Sequence, residues 1–451
     1  MQDKVLELLD LRKFSELKTL LSEENPADIV AYLENIPQNE LILVFRILPK
    51  ELAAETFVEM DSDMQMLLIS SFSDKELRDV LSELFVDDAV DIIEEMPASV
   101  AKRILKQADA QTRKDINLIL AYPEDSAGSI MTTEYIALKR DMTVEEAFVK
   151  IRSVGLDKET IYTCYVTDSR RRLIGVVTAK DLLLSELTQT LGDIMEENVI
   201  FSYTTDDQES VIQTFEKYDM LALPVVDKED RLIGIITVDD IIDVIQEENT
   251  EDIEKMAAIS PSDKTYLKTG IFDTVKSRIP WLVILMLSCT FTGLIISSFE
   301  KALSALPALI AFIPMIMNTG GNSGSQTSVT VIRALSLGDV TFKDVLKVFF
   351  KEFRVSIICG AVLSAVNYGK ILLIDNLLLK ENITNTIALV VSFTIFATVV
   401  FAKIVGCLLP IGAKRIGLDP AVMASPFITT LVDAVSLLIY FTIASAMLSS
   451  I

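Results

Sequence analysis

The sequence predicts a multidomain membrane protein. It reads as an all-α helical superhelix over residues 1–125, an α/β tandem repeat over 126–250, an amphipathic connecting helix over 251–275 and an α-helical membrane domain of five spans over 276–451. Three observations predict this organisation. The 451 residues carry 41 Lys and Arg against 65 Asp and Glu, yet only 13 of the basic and 9 of the acidic residues lie from Asp273 onward. The front is therefore strongly acidic and the back weakly basic, and blocks of one charge sign mark separate modules with separate partners. The stretch Ile279–Phe299, IPWLVILMLSCTFTGLIISSF, carries no charge and is long enough to cross a bilayer, which takes about 20 apolar residues. Finally, YVTDSRRRLIGVVTAKDLL at 165–183 returns as PVVDKEDRLIGIITVDDII at 224–242, an offset of 59 residues.

Composition excludes several function classes. The chain has no histidine, which removes the commonest transition-metal ligand and the usual general base. Cys164, Cys289, Cys359 and Cys407 show no CxxC spacing and read as reduced core or membrane residues. No GxxxxGK[ST] loop offers to cradle a triphosphate, and no nucleophile and base converge, so an enzyme or ATP-driven pump is not expected. An acidic front disfavours nucleic acid, whose phosphates need Lys and Arg clusters, and favours divalent cations.

The N-terminal MQDKVLELLDLRKF is amphipathic and lacks an apolar signal core, which predicts a cytoplasmic start. Short helical units recur roughly every 12 residues, as in PADIVAYLENIP, NELILVFRILP, ELAAETFVEMD, DMQMLLISSFS and DDAVDIIEEMP. Units of this size cannot bury a core alone, so they are expected to stack. Asp87, Asp88 and Asp91 crowd the start of one unit, where acidic residues complement the helix dipole.

Each copy of the repeat reads as strand, turn, apolar strand and helix start, with Thr178 and Asp181 matching Thr237 and Asp240. Thr and Asp at such positions suit helix capping. The doublet resembles a tandem pair of CBS domains, and the Gly-x-x-Thr-x-x-Asp stretches at 175–181 and 234–240 are similar to those that hold the ribose and phosphates of an adenine nucleotide in many of them. The resemblance implies ATP or another adenine nucleotide as a ligand, with capping alone as the other reading of these four residues.

Four further spans are expected near 303–332, 355–374, 385–411 (with a lone Lys403) and 420–450. Lys276, Arg278, Arg333, Lys343, Lys347, Lys351, Arg354, Lys414 and Arg415 fall in one set of loops, against Lys301, Lys370 and Lys380 in the other. Lys and Arg favour the cytoplasmic side, which predicts a multi-pass protein of the cell (inner or plasma) membrane with its N-terminus inside and C-terminus outside. Two features exceed what a lipid anchor needs. The run NTGGNSGSQ at 318–326 is expected to interrupt its helix beside water, the alternative being close packing through small residues. Asp433, within SPFITTLVDAVSLLIYF, is a carboxylate at membrane depth, a functional residue by default. A magnesium ion, which gives up its waters reluctantly, would meet such a carboxylate through its hydration shell.

Taken together, TGGNSGSQ, RLIGIITVDDIIDV, ENTEDIEKM and DPAVMASPFITTLVDAVSLLIYF make the chain similar, over essentially its full length, to the MgtE family of magnesium channels. The resemblance implies a homodimer in the lipid bilayer with one pore at the dimer axis, a plug helix before the first span, and Mg2+ as both cargo and inhibitor. It implies a pore site at Asp433, with Thr429, Gly321 and Ser325 near the filter. It further implies a cytosolic sensor at Asp91, Asp207, Glu209, Asp219, Asp240, Asp243, Glu248, Glu251 and Asp252. The chain departs from the family pattern at Ser325, at Ser425, in the Ala-Val-Ser after Asp433 and at Thr429, all near the implied filter. The expected function is a magnesium-selective channel for Mg2+ uptake, shut by cytosolic Mg2+. The alternatives are an ion-coupled divalent cation carrier and a membrane-anchored nucleotide sensor without transport.

Overall fold

The computed structural model describes residues 2–262, 266, 269–299, 307–423 and 425–448. It divides into two compact units, Met1–Val244 and Ile245–Ile451.

In the first unit, ten short helices are described before residue 120, from α1 (Gln2–Asp10) to α10 (Ala110–Ile119). Proline and small polar residues set their starts: Pro26 opens α3 (Pro26–Leu33), Asp61 caps α6 (Ser62–Ser71), and Ser73 closes a capping box with Glu76 on α7 (Asp74–Leu81). From α2 (Phe14–Leu21) onward, each helix packs on the next but one, so odd and even helices form two stacked rows. Leu17, Leu33, Phe57, Leu68, Leu77 and Ile104 fill the space between the rows. This is the stacked superhelix expected from units too small to bury a core alone.

The repeat then forms two three-stranded sheets. β1 (Ala137–Lys139) pairs parallel to β2 (Thr163–Thr167), which pairs antiparallel to β3 (Leu173–Thr178). β4 (Ser202–Tyr203), β5 (Ala222–Val226) and β6 (Leu232–Thr237) repeat that order. The tight turns before β3 and β6 place Arg171 and Asp230 at φ 65° and 59°. Each apolar third strand ends on a Thr that begins a helix: α12 (Ala179–Leu184) after Thr178 and α15 (Val238–Met256) after Thr237. α11 (Val144–Val154) and α14 (Gln208–Tyr218) lie in the parallel crossovers, with α13 (Leu191–Ile194) between the two copies.

Among the described residues the second unit contains five long helices. α16 (Ile271–Ser298), α18 (Val345–Lys370), α19 (Asn385–Arg415) and α20 (Ser425–Leu448) belong to segments apolar and long enough to cross a membrane. Among the described residues only four segments meet that test. The fifth helix, α17 (Ile313–Ser336), does not, because Asn, Thr, Gly and Ser occupy its middle; its 24 residues still rise about 36 Å. The expectation of a helix broken at 318–326 is corrected: α17 runs unbroken through Asn318–Gln326. Its glycines are contact points. A Cβ on Gly320 would lie 2.6 Å from Thr398 Cγ2, one on Gly324 would lie 2.8 Å from Ile428 Cγ2, and one on Gly406 of α19 would strike the Gly324 carbonyl. Close approach of backbones offsets the cost of glycine in a helix. α19 is the central helix, buried along most of its length, whereas α16 has no fully buried residue and packs Ile295 and Ile296 partly against the core.

The expected single connecting helix over 251–275 is also corrected. Residues 251–256 end α15, Ala258 turns at φ 56°, and 271–275 already belong to α16. Pro261 explains the break, since a proline disfavours helix in the residue before it. Of the span expected at 303–332, residues 303–306 lie outside the described residues.

Candidate functional site

In the membrane unit, α17 and α20 bring together the residues expected at the pathway. Gly321 faces Thr429 so closely that a Cβ there would lie 2.8 Å from Thr429 Cγ2, and Ser325 Oγ lies 3.4 Å from Thr429 Oγ1. Asp433 stands one turn beyond Thr429 on α20 and is half-buried, with its Oδ1 enclosed and without a hydrogen-bond partner. Ser436, the next turn along, and Thr398 on α19 are fully buried, and their hydroxyl oxygens are likewise unpartnered. Both lie around Gly320, whose added Cβ would stand 2.9 Å from Ser436 Oγ. The face thus offers one carboxylate and several neutral oxygens, the donor set of a hard cation that retains its waters.

A second acidic site forms in the first unit, at the start of α8 (Val86–Glu95). Glu134 Oε2 accepts a hydrogen bond from the Val86 N–H at 3.0 Å. Asp87 and Asp88 follow on the first turn of α8, and Glu159 is tied to Glu134 through its backbone N–H at 3.0 Å. Asp240, in the first turn of α15, accepts from the Thr237 hydroxyl at 2.5 Å. Asp87 Oδ1 and Glu159 Oε2 are buried without partners. Burial and the nearby charge of Asp240 push the Asp87 carboxyl far up, Asp88 to about 7 and Glu159 to about 8. Asp240 rises to about 6, through burial and despite its bond from Thr237, with Asp239 and Asp243 adding repulsion. Four carboxyls, Asp87, Asp88, Glu159 and Asp240, are thus held at a cost that a divalent cation would relieve. Among the described residues no three carboxylates or thiols converge as the ligands of a metal ion.

The other expected sensor residues are dispersed. Asp91 lies one turn along α8, exposed. Asp207 caps α14 by accepting from Glu209 N–H at 2.9 Å, while Asp219 ends that helix at φ 49°, about 18 Å away along the axis. Asp243 follows Asp240 by one turn on α15. Glu248, Glu251 and Asp252 belong to the second unit, where the end of α15 contacts the membrane helices. Asp252 accepts from the Ser336 hydroxyl at 3.1 Å and Lys255 bridges Glu251 (2.6 Å) and Asp419 (2.7 Å). Thr178 and Asp181 form a capping box, and Thr237 bonds Asp240, so all four expected nucleotide residues act as helix caps here. Sequence reasoning missed Glu134 and Glu159. Nothing local marks them, because Glu134 meets Val86 across 48 residues of chain.

A family profile described as "Divalent cation transporter" (MgtE) matches residues 313–443, "MgtE intracellular N domain" matches 24–125, and "CBS domain" matches 127–187 and 191–247. The chain is 36% identical over 439 residues to the magnesium transporter MgtE of Thermus thermophilus, covering 96% of each. It is 33% identical over 448 residues to the magnesium transporter MgtE of Bacillus subtilis, covering 99% of this chain and 97% of that one. Among solved structures it resembles the cytosolic domain of the Mg2+ channel MgtE in complex with ATP, at 35% identity and a TM-score of 0.52, over 54% of this chain and all of that one.

Proposed function

Because this chain belongs to the MgtE family of magnesium transporters, we propose that it is a magnesium-selective channel for Mg2+ uptake, shut by cytosolic Mg2+. The observation that carries the reading is Asp433: a carboxylate in a membrane helix with an enclosed, unpartnered oxygen, one turn from the Thr429 that meets Gly321 and Ser325. Hydrated Mg2+ passes along this face. Asp433 accepts hydrogen bonds from waters of the ion's shell, and the hydroxyls of Ser325 and Thr429 take the others, so the ion is not stripped. One carboxylate per chain suits a homodimer, in which two would match the charge of one divalent ion at the axis. Dimerisation is supported by the apolar surface of the CBS pair, where Leu156 is 96%, Leu184 78% and Leu183 72% exposed. The unburied flanks of α16 suit lipid or a second copy.

In this reading α17, long enough to span, is the fifth transmembrane helix, and the Lys and Arg of the loops favour an N-terminus in the cytoplasm and a C-terminus outside the cell membrane. The brake is the acidic front. Asp87, Asp88, Glu134, Glu159 and Asp240 repel when ionised, and divalent cation bound among them favours the closed arrangement. Asp91, Asp207, Glu209, Asp219 and Asp243 of the first unit and Glu248, Glu251 and Asp252 of the second add further acidic positions to the brake. An adenine nucleotide, by analogy with the ATP complex of the solved relative, binds at Thr178, Asp181, Thr237 and Asp240. The reading is tested in proteoliposomes loaded with a magnesium indicator while Mg2+ is varied on the side exposing the acidic domains. Influx that falls as that Mg2+ rises is expected; no influx would favour a membrane-anchored sensor, and slow influx coupled to an ion gradient a carrier.

A further inference from the structure

Three membrane helices share a hydrogen-bonded charged chain, buried at Lys403 and Thr327 and half-buried at Glu352, that lies apart from Asp433. Lys403 of α19, in an otherwise apolar run, is only 6% exposed. Its Nζ donates to the Thr327 hydroxyl of α17 at 3.1 Å, and that hydroxyl donates to Glu352 Oε2 of α18 at 3.2 Å. Thr327 is also buried. One hydroxyl therefore stands between an ammonium and a carboxylate, accepting from the first and donating to the second, and it ties three helices at one level. Charge at membrane depth is costly and marks function more often than packing. The link sits beside a close approach of α17 and α19. Gly324, one turn before Thr327, has its carbonyl against Gly406, and a Cβ on Gly324 would lie 3.2 Å from the carbonyl oxygen of Ala402, the neighbour of Lys403.

Thr327 and Ser325 are two residues apart on a continuous helix, so they point to nearly opposite sides of it, about 200° apart. Thr327 is bonded to Lys403 and Glu352, while Ser325 meets Thr429. Any change in the depth or rotation of α17 set at Thr327 is thus delivered to the Gly321–Ser325 face.

We propose that Lys403, acting through Thr327 and Glu352, is a positioning residue that determines ion specificity by fixing α17 at the depth and rotation where Gly321 and Ser325 face Thr429. The inference rests on the reading that this face lines the pathway. Its physical basis is the small size difference between the competing hydrated ions: first-shell oxygens stand about 2.0–2.1 Å from Mg2+ and about 2.3–2.6 Å from Ca2+, so the water shell that the face meets differs by the same few tenths. A site that discriminates them must hold its spacing to a few tenths of an ångström. A directional bond from a buried ammonium does this better than apolar contact, which tolerates sliding. If charge balance alone were the role, removing both charges would restore everything, because a buried pair can often be replaced by apolar side chains without loss of stability.

The test compares Mg2+ and Ca2+ influx into proteoliposomes for the full chain and its variants, with thermal stability in detergent as a parallel readout. Thr327→Val keeps the shape and removes the hydroxyl, and Thr327→Ser keeps the hydroxyl. The Mg2+/Ca2+ influx ratio is expected to fall about tenfold in Thr327→Val, the scale of one lost hydrogen bond to a charged group, and to stay near the unmodified value in Thr327→Ser. Lys403→Met and Glu352→Gln singly should lower both stability and the ratio. The double variant should recover stability without recovering the ratio. An unchanged ratio in Thr327→Val and Lys403→Met, with Mg2+ influx intact in the unmodified protein, would overturn the proposal, as would a ratio that recovers with stability in the double variant. Absence of Mg2+ influx in the unmodified protein is a different failure: it would overturn the pathway reading, and this inference with it.

Discussion

The carboxylate of Glu134, just ahead of the first CBS strand, accepts a hydrogen bond 3.0 Å long from the backbone N–H of Val86, the first residue of α8. One bond thereby joins the helical domain to the CBS pair. It also puts a third carboxyl beside Asp87 and Asp88, at the positive end of a helix dipole that partly offsets their repulsion.

That arrangement makes stability depend on pH in a stated direction. Carboxyls whose folded-state pKa stands above the ordinary value stabilise the fold most when protonated, so the contribution is complete below about pH 4. It is lost as pH rises through about 6, 7 and 8, where Asp240, Asp88 and Glu159 release their protons. Hydrogen exchange of the full chain without divalent ions should show α8 losing protection between pH 5 and 8.5 (roughly the window of those shifts), and Mg2+ restoring it. Protection that is constant or rises over that range would contradict the account of the cluster.

Neutralising the same groups should release the brake. Asp87→Asn combined with Asp240→Asn removes two of the carboxyls that would hold the divalent cation between α8 and α15. The Mg2+ concentration needed for half-inhibition of influx should rise at least about tenfold, roughly 1.4 kcal/mol of lost coupling. Inhibition at the unmodified concentration would show that the switch lies elsewhere.

Glycines in the membrane unit divide into two classes that substitution distinguishes. A Cβ on Gly406 would strike the Gly324 carbonyl, whereas one on Gly412, on the same helix, has no atom within 4 Å. Gly406→Ala should destabilise by about 1–3 kcal/mol through forced separation of α17 and α19. Gly412→Ala should be neutral or stabilise by about 0.5–1 kcal/mol through helix propensity. Thermal unfolding in detergent reads both, and equal effects would mean that the glycines do not mark a tight crossing.

Much of this was legible in the sequence where the signal is local. The repeat at 165–183 and 224–242 becomes two sheets of the same strand order, because strand, turn and cap are each encoded within a few residues. The charge-free run at 279–299 lies almost wholly within α16, and Asp433 stood out as a carboxylate among apolar neighbours. Where tertiary contact overrides local preference, reading failed. NTGGNSGSQ looks like a helix breaker, but its small residues let α19 and α20 approach, and that packing keeps α17 continuous. Residues 251–275 carry an amphipathic pattern that Pro261 divides. Glu134 and Glu159 had no signal at all, since what makes them notable is burial beside Asp88 and Asp240 from distant parts of the chain. Lys403 was visible as an isolated charge, but its partners on α17 and α18 were not.

The central claim is that Asp433 holds the shell of a hydrated ion, and the most direct measurement is Mg2+ influx through Asp433→Asn beside Asp433→Glu. Asn keeps the shape and one acceptor but removes the charge, and the account predicts that its influx falls by about 100-fold or more, on the scale of an intramembrane charge worth roughly 3 kcal/mol, while Glu retains a measurable fraction. Influx through Asp433→Asn equal to that of the unmodified protein, with the same inhibition by Mg2+, would contradict the account at its base.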